Sequence, residues 1–89
     1  MKAPKPIQYH LEIYRESLGS DPIAAYQAST PFQAVAVGDT FDHRVFEGLS
    51  NPPGAGEALQ VKAVRHIVWD ILDTHVGHKV MVVLEKVRE

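Results

Sequence analysis

The chain contains no cysteine. That excludes disulfides, iron–sulfur clusters, thiolate zinc sites and a catalytic thiol. Long apolar runs are also missing. The longest, Val80 to Leu84, falls far short of the ~20 residues a membrane-spanning helix needs. Cationic excess is absent as well: Lys plus Arg number 9 against 11 Asp plus Glu, for a net charge of -2. A duplex-binding protein ordinarily carries the opposite balance, because it must displace counterions from phosphates. Met1 to Pro6 holds positive charge but has no apolar stretch behind it, so it does not read as a secretory leader. The expectation is a cytoplasmic protein with no membrane association, and nucleic acid is an unfavoured partner.

What is present suits one folded unit. The 89 residues are 45% hydrophobic and 22% charged, enough apolar surface to offset chain entropy but too little chain for a second core. Residues 1–6, with two prolines and two lysines, read as a flexible arm. Residues 7–89 form the single domain. No internal repeat or low-complexity stretch interrupts it.

Alternation supplies the first element. Ile7, Tyr9, Leu11 and Ile13 fall on one face, and Gln8, His10, Glu12 and Tyr14 on the other, the pattern of a half-buried strand. Ser17 to Pro22 is a turn. Ile23 to Ala28 is open between a short helix, with Asp21 as cap and Pro22 at its first position, and an edge strand. Phe32 to Val37 reads as a strand that stops at Gly38-Asp39, a tight reversal or a kink. Phe41 to Phe46 alternates again. Glu47 to Gly56 is the longest loop, since Asn51-Pro52-Pro53-Gly54 is unsuited to regular structure.

Residues 58–76 decide the fold class. As a helix, Val64, Ile67, Val68, Ile71 and Leu72 make an apolar stripe, and Gly77 stands at the C-cap. As a strand, Leu59 and Val61 share a face, and a one-residue bulge near Lys62-Ala63 brings Val64, His66 and Val68 onto it. The β-branched and aromatic composition favours the strand. Lys79 to Val87 is a strand, so Asp73 to Gly77 becomes a hairpin loop. A turn centred on Asp73-Thr74 pairs Trp69 with His78 and His66 with Met81. The fold expected is therefore all-β: a small, partly closed barrel of five or six strands. The alternative is α+β, an antiparallel sheet carrying one helix at 58–76. Short strands joined by glycine- and proline-rich loops resemble the architecture of SH3-like small barrels, a likeness that carries no function. The expected core is Leu11, Ile13, Phe32, Val35 or Val37, Phe41, Val64, Val68, Val82 and Leu84.

Candidate chemistry is sparse. Five histidines are present: His10, His43, His66, His75 and His78. His75 and His78 flank a glycine-containing loop, and His66 or His43 could add a third imidazole for a metal. The plainer reading is a packed His66 and two solvated loop residues. Asp39, Asp42 and His43 lie together, but no serine stands in a nucleophile elbow, and Asp39 reads as a turn cap. The Asn51 to Gly56 loop has neither P-loop nor dinucleotide spacing, and no cofactor is implied. Tyr9, Tyr14 and Trp69 stand near scattered Lys and Arg, a pattern seen in single-strand-binding barrels, but Glu85 and Glu89 interleave with the last basic cluster. Trp69, the only tryptophan, suits a partner anchor.

The function expected is a non-enzymatic binding or assembly module. It presents a sheet edge and loops to a protein partner or to itself, with Trp69, His66 and His78 as binding residues. The first alternative is a metal-binding protein using His43, His66, His75 and His78. The second is a nucleic-acid-binding barrel.

Overall fold

The computed structural model describes residues 6–19, 21–42, 52–72 and 74–88. Five strands form one sheet: β1 (Ile7–Arg15), β2 (Ala24–Ala28), β3 (Thr40–Phe41), β4 (Glu57–Ile71) and β5 (His75–Arg88), in the order β2-β1-β5-β4-β3. No helix occurs among the described residues. The sheet is mixed, with β1 parallel to β5 and every other pairing antiparallel. It curls into a half-barrel, the partly closed all-β architecture expected.

The helix alternative at 58–76 fails because β4 runs extended through Ile71 and pairs residue by residue with β5. A helical stripe buries itself only against a second layer, whereas β-branched side chains here pack across a pleated sheet. The bulge falls where the alternation breaks. Val61 opposes Leu84 and Ala63 opposes Val83, leaving Lys62 as the extra residue. Leu59, Val61, Val64, His66 and Val68 consequently share one face, called the inner face below. Ile7, Tyr9, Leu11 and Ile13 of β1, and Val76, His78, Val80, Val82 and Leu84 of β5, lie on it too.

The hairpin register differs by one residue from that expected. Trp69 opposes Gly77 and His66 opposes Val80. Thr74 sets this register: its backbone N–H and its Oγ1 both donate to the Ile71 carbonyl, each at 2.9 Å, closing the loop between Ile71 and His75. Side-chain direction has period two, so the shift places Trp69 and His78 on opposite faces. His75 lies inside β5, not in a loop.

The core occupies one end of the sheet. Ile13, Leu59, Val61, Val82 and Leu84 are at most 2% exposed, and Leu11, Ile23, Ala24, Val35, Phe41, Val64 and Val80 pack around them. A smaller cluster on the outer face joins Tyr14, Met81 and Val83, with Leu18 against it. One expected core residue is outside, Val68 at 66% exposed, and of the pair Val35 or Val37 it is Val35 that packs on the core while Val37 is 65% exposed. Val68 lies on the distal half of β4, beyond the segment that covers the core. Val37 belongs to the turn at Gly38, whose φ of 99° requires glycine. Residues 32–37 are irregular, not a strand. They are held at the turn by the Ala36 N–H donating to Asp39 Oδ2 at 2.9 Å, so Asp39 caps a turn as expected. Residues 23–28 resolve to the edge strand β2. The expected strand at 41–46 begins as β3, and residues 43–46 lie outside the described residues.

The molecule measures 56 × 22 × 21 Å with a radius of gyration of 15.3 Å, against about 12 Å for a compact domain of this length. The β4–β5 hairpin accounts for the long axis, because the 15 residues of β4 at ~3.3 Å each reach about 50 Å.

Candidate functional site

Three features converge on the distal half of the hairpin, residues 62–71 and 75–80. The first is on the inner face. His66 and His78 sit diagonally across β4 and β5, with His66 Nδ1 and His78 Nε2 3.0 Å apart and ring centroids 5.3 Å apart. Tyr9 closes the row from β1, its ring 5.9 Å from that of His78. Residues 31–35 pass in front, leaving a cleft of ≈ 180 Å³ lined by Tyr9, Leu11, Phe32, His66, His78 and Val80 among others. A hydrogen bond between two imidazole nitrogens needs one proton between them, so the two rings take complementary tautomers.

The second feature is on the outer face. Trp69 lies flat over Gly77. A Cβ added there would meet Trp69 Cε2 and Cζ2 at 2.2 Å. His10 of β1 approaches the same indole at 5.4 Å between centroids, and Lys79 Nζ lies 5.9 Å from the ring. Lys79 also pairs with Glu12 at 3.3 Å, and the Tyr14 hydroxyl donates to Glu12 Oε1 at 2.7 Å. The outer face thus carries a connected polar strip across β1 and β5.

That strip has a pH signature. The Tyr14 hydroxyl bond, and after it the Lys79 ammonium, hold Glu12 below the ordinary carboxylate value of 4.5, against an opposing push from burial. The same bond raises Tyr14 above 10.0. Glu12 has its pKa depressed by folding, so its contribution is complete above pH 4.5 and is lost as pH falls through the lower native value. Tyr14 has its pKa raised, so its contribution is complete below pH 10.0 and is lost as pH rises through the higher native value. Tyr14→Phe should cost about 1 kcal/mol at neutral pH. It should also flatten both flanks of the stability curve, as read from thermal melts across the pH range. Parallel flanks in parent and variant would contradict the assignment.

The third feature is the free margin of β4. β3 covers only Leu59 and Gln60, and the turn before it reaches as far as Val61, whose N–H donates to Asp39 and whose carbonyl accepts from Gly38. Beyond Val61, no strand among the described residues pairs with the outer side of β4. Which groups point outward follows from alternation. The Leu84 carbonyl accepts from Glu16 and the Val76 N–H donates to Pro6, so the even residues of β5 face β1. Val64, His66 and Val68 oppose even β5 residues, and so does Asp70. The four therefore turn their N–H and C=O groups away from β5, toward the open margin. Ile67 and Val68 beside it are 42% and 66% exposed, and Leu72 at the tip is 88% exposed.

Of the residues singled out in the sequence, the structure brings His66 and His78 together and places Trp69 on the opposite face of the same hairpin. His75 does not join them. Three residues from His78 in a strand, it points to the other face, where its Nδ1 lies 3.0 Å from Thr74 Oγ1. His43 lies outside the described residues. No cluster of three or more His, Cys, Asp or Glu side chains suited to a metal occurs among the described residues, and they contain no helix long and apolar enough to cross a membrane. His10 went unnoticed as Trp69's neighbour, because only the parallel β1–β5 register brings them together.

No protein-family model, curated protein or solved structure matches this chain.

Proposed function

We propose that the chain is a non-enzymatic binding and assembly module whose working surface is the outer margin of β4. The observation that carries this reading is the outward-turned backbone of Val64, His66 and Val68, which no strand among the described residues pairs, beside the exposed side chains of Ile67 and Val68. Natural sheets shorten, cover or interrupt such margins because they invite another strand. This one is long and contains no proline. An extended protein segment can add to it as a further strand, with backbone hydrogen bonds giving affinity and alternate side chains giving selectivity.

The test uses a displayed library of random extended peptides. Val68→Pro removes one outward N–H while costing the β4–β5 ladder nothing, and proline is tolerated on the solvent side of edge strands. The parent should retain peptides that V68P does not, with both proteins melting within a few degrees of each other. Equal retention by the two would overturn the reading.

The second reading, a metal-binding protein, is favoured by the 3.0 Å approach of His66 Nδ1 and His78 Nε2. That pair offers two nitrogens where zinc takes three or four ligands. Stoichiometric metal retained through purification without an affinity tag would promote it above the first.

A further inference from the structure

We infer that His66 and His78 form a linear, two-coordinate site for a monovalent closed-shell cation of the Cu(I) class, bound between His66 Nδ1 and His78 Nε2. The inference rests on the metal-binding reading above, names the ion it would take, and draws nothing from the β4 margin.

Two distances define the geometry. The facing nitrogens are 3.0 Å apart and the ring centroids 5.3 Å apart. The difference is two imidazole radii, the most that this nitrogen contact allows. Centroid, nitrogen, nitrogen and centroid therefore lie on one line, and each inner nitrogen points straight at the other. Zinc asks for three or four ligands arranged as a tetrahedron. Two donors opposed on a line suit Cu(I) or Ag(I) instead, and imidazole is an accepted copper ligand.

The strands hold the pair in that line. The bulge at Lys62 brings His66 onto the inner face, where it opposes Val80 while His78 opposes Val68. The two imidazoles are thus diagonal neighbours on one hairpin, and the Tyr9 ring lies 5.9 Å from that of His78 on the β1 side. The surroundings set the charge. Leu11, Phe32, Val35 and Val80 wall the cleft beside the pair, and no carboxylate is among the described residues that line it. An ion entering there sheds water, and that cost climbs with its charge. One positive charge is tolerable where two would call for an anionic ligand. His66 is exposed and gives the ion a way in.

Binding is a tautomer change. In the neutral pair one inner nitrogen carries the shared proton. That proton passes through solvent to the outer nitrogen of the same ring, and both inner lone pairs then bind the ion. Each ring stays neutral with one N–H. Two imidazole–metal bonds of ~2 Å reach about 4 Å, so the rings part by about 1 Å, within reach of small side-chain torsions.

Silver(I) nitrate in chloride-free buffer is the probe, because Ag(I) shares the charge and linear preference of Cu(I) without its redox chemistry. The chain's lack of cysteine removes the strongest competing ligand. Long-range proton–nitrogen correlation spectra of the histidine rings should show His66 Nδ1 and His78 Nε2 moving together, complete at one equivalent of silver. His66→Gln and His78→Gln should each weaken uptake at least roughly 100-fold, beyond the cost of losing a residue that only braces a ligand. His75→Gln, on the other face, should bind as the parent does. Silver uptake that leaves these two nitrogens unmoved, or parent-like uptake by H66Q and H78Q, overturns the inference. Zinc nitrate at the same concentration should leave the pair unchanged. If zinc moves the two nitrogens as readily as silver, the linear monovalent site is refuted and the metal-binding reading stands. If neither metal moves them, both fall.

Discussion

Leu84→Ala is expected to lower stability by about 2–5 kcal/mol, the usual cost of truncating a packed aliphatic side chain. Leu84 is 0% exposed, opposes Val61 on β4 and Arg15 on β1, and belongs to a core whose fully packed members among the described residues are five. A domain of this size holds roughly 5–13 kcal/mol in total, so the loss is a large fraction of it. Each kcal/mol moves the midpoint by about 4–8 °C at this length, and the drop should therefore be about 8 °C or more. A melting curve recorded by circular dichroism reads it directly. An unchanged midpoint would mean that β5 is not the centre of the sheet.

Gly77→Ala should be the next most damaging change. The added methyl group would occupy the space of the Trp69 indole, 2.2 Å from Cε2, so the ring must leave the strand it covers. Overpacking of this kind costs about 1–3 kcal/mol, and the displaced ring gives up its contacts with His10 and Lys79. Because Trp69 is the only tryptophan, its emission should shift to the red as the indole enters water. A G77A protein with parent emission and parent midpoint would show that Trp69 does not lie on Gly77.

Much of this was legible in the chain where order is local. β1 announces itself by alternation, and β5 by its continuous valine-rich apolar run. The bulge at Lys62 could be placed because Leu59 and Val61 fall out of step with Val64, His66 and Val68. The core at Leu84, Val82 and Ile13 follows from the same periodicity. Where pairing is non-local the residues are silent. Nothing in β1 or β5 states that they run parallel, so the meeting of His10 with Trp69 was hidden. The loop closed by Thr74 moved the register by one residue, and that alone decides whether Trp69 lies over a glycine or beside a histidine. His66 and His78 drew notice through residue type, but grouping them with His75 failed because residues three apart in a strand face opposite ways. Exposure of Val68 also escaped, since alternation assigns a face without saying how far along it the core extends.

The central claim is that the outer margin of β4 is an open surface that another strand closes. Amide hydrogen exchange, resolved by residue and followed as a retained extended peptide is added, tests it most directly. Without peptide, Val64, His66 and Val68 should exchange fast while Ala63, Arg65, Ile67 and Trp69, bonded to β5, exchange slowly. With peptide the three fast amides should become protected and the slow ones should change little. Protection of all seven amides in dilute protein alone would contradict the account, because the margin would then be closed within a single chain.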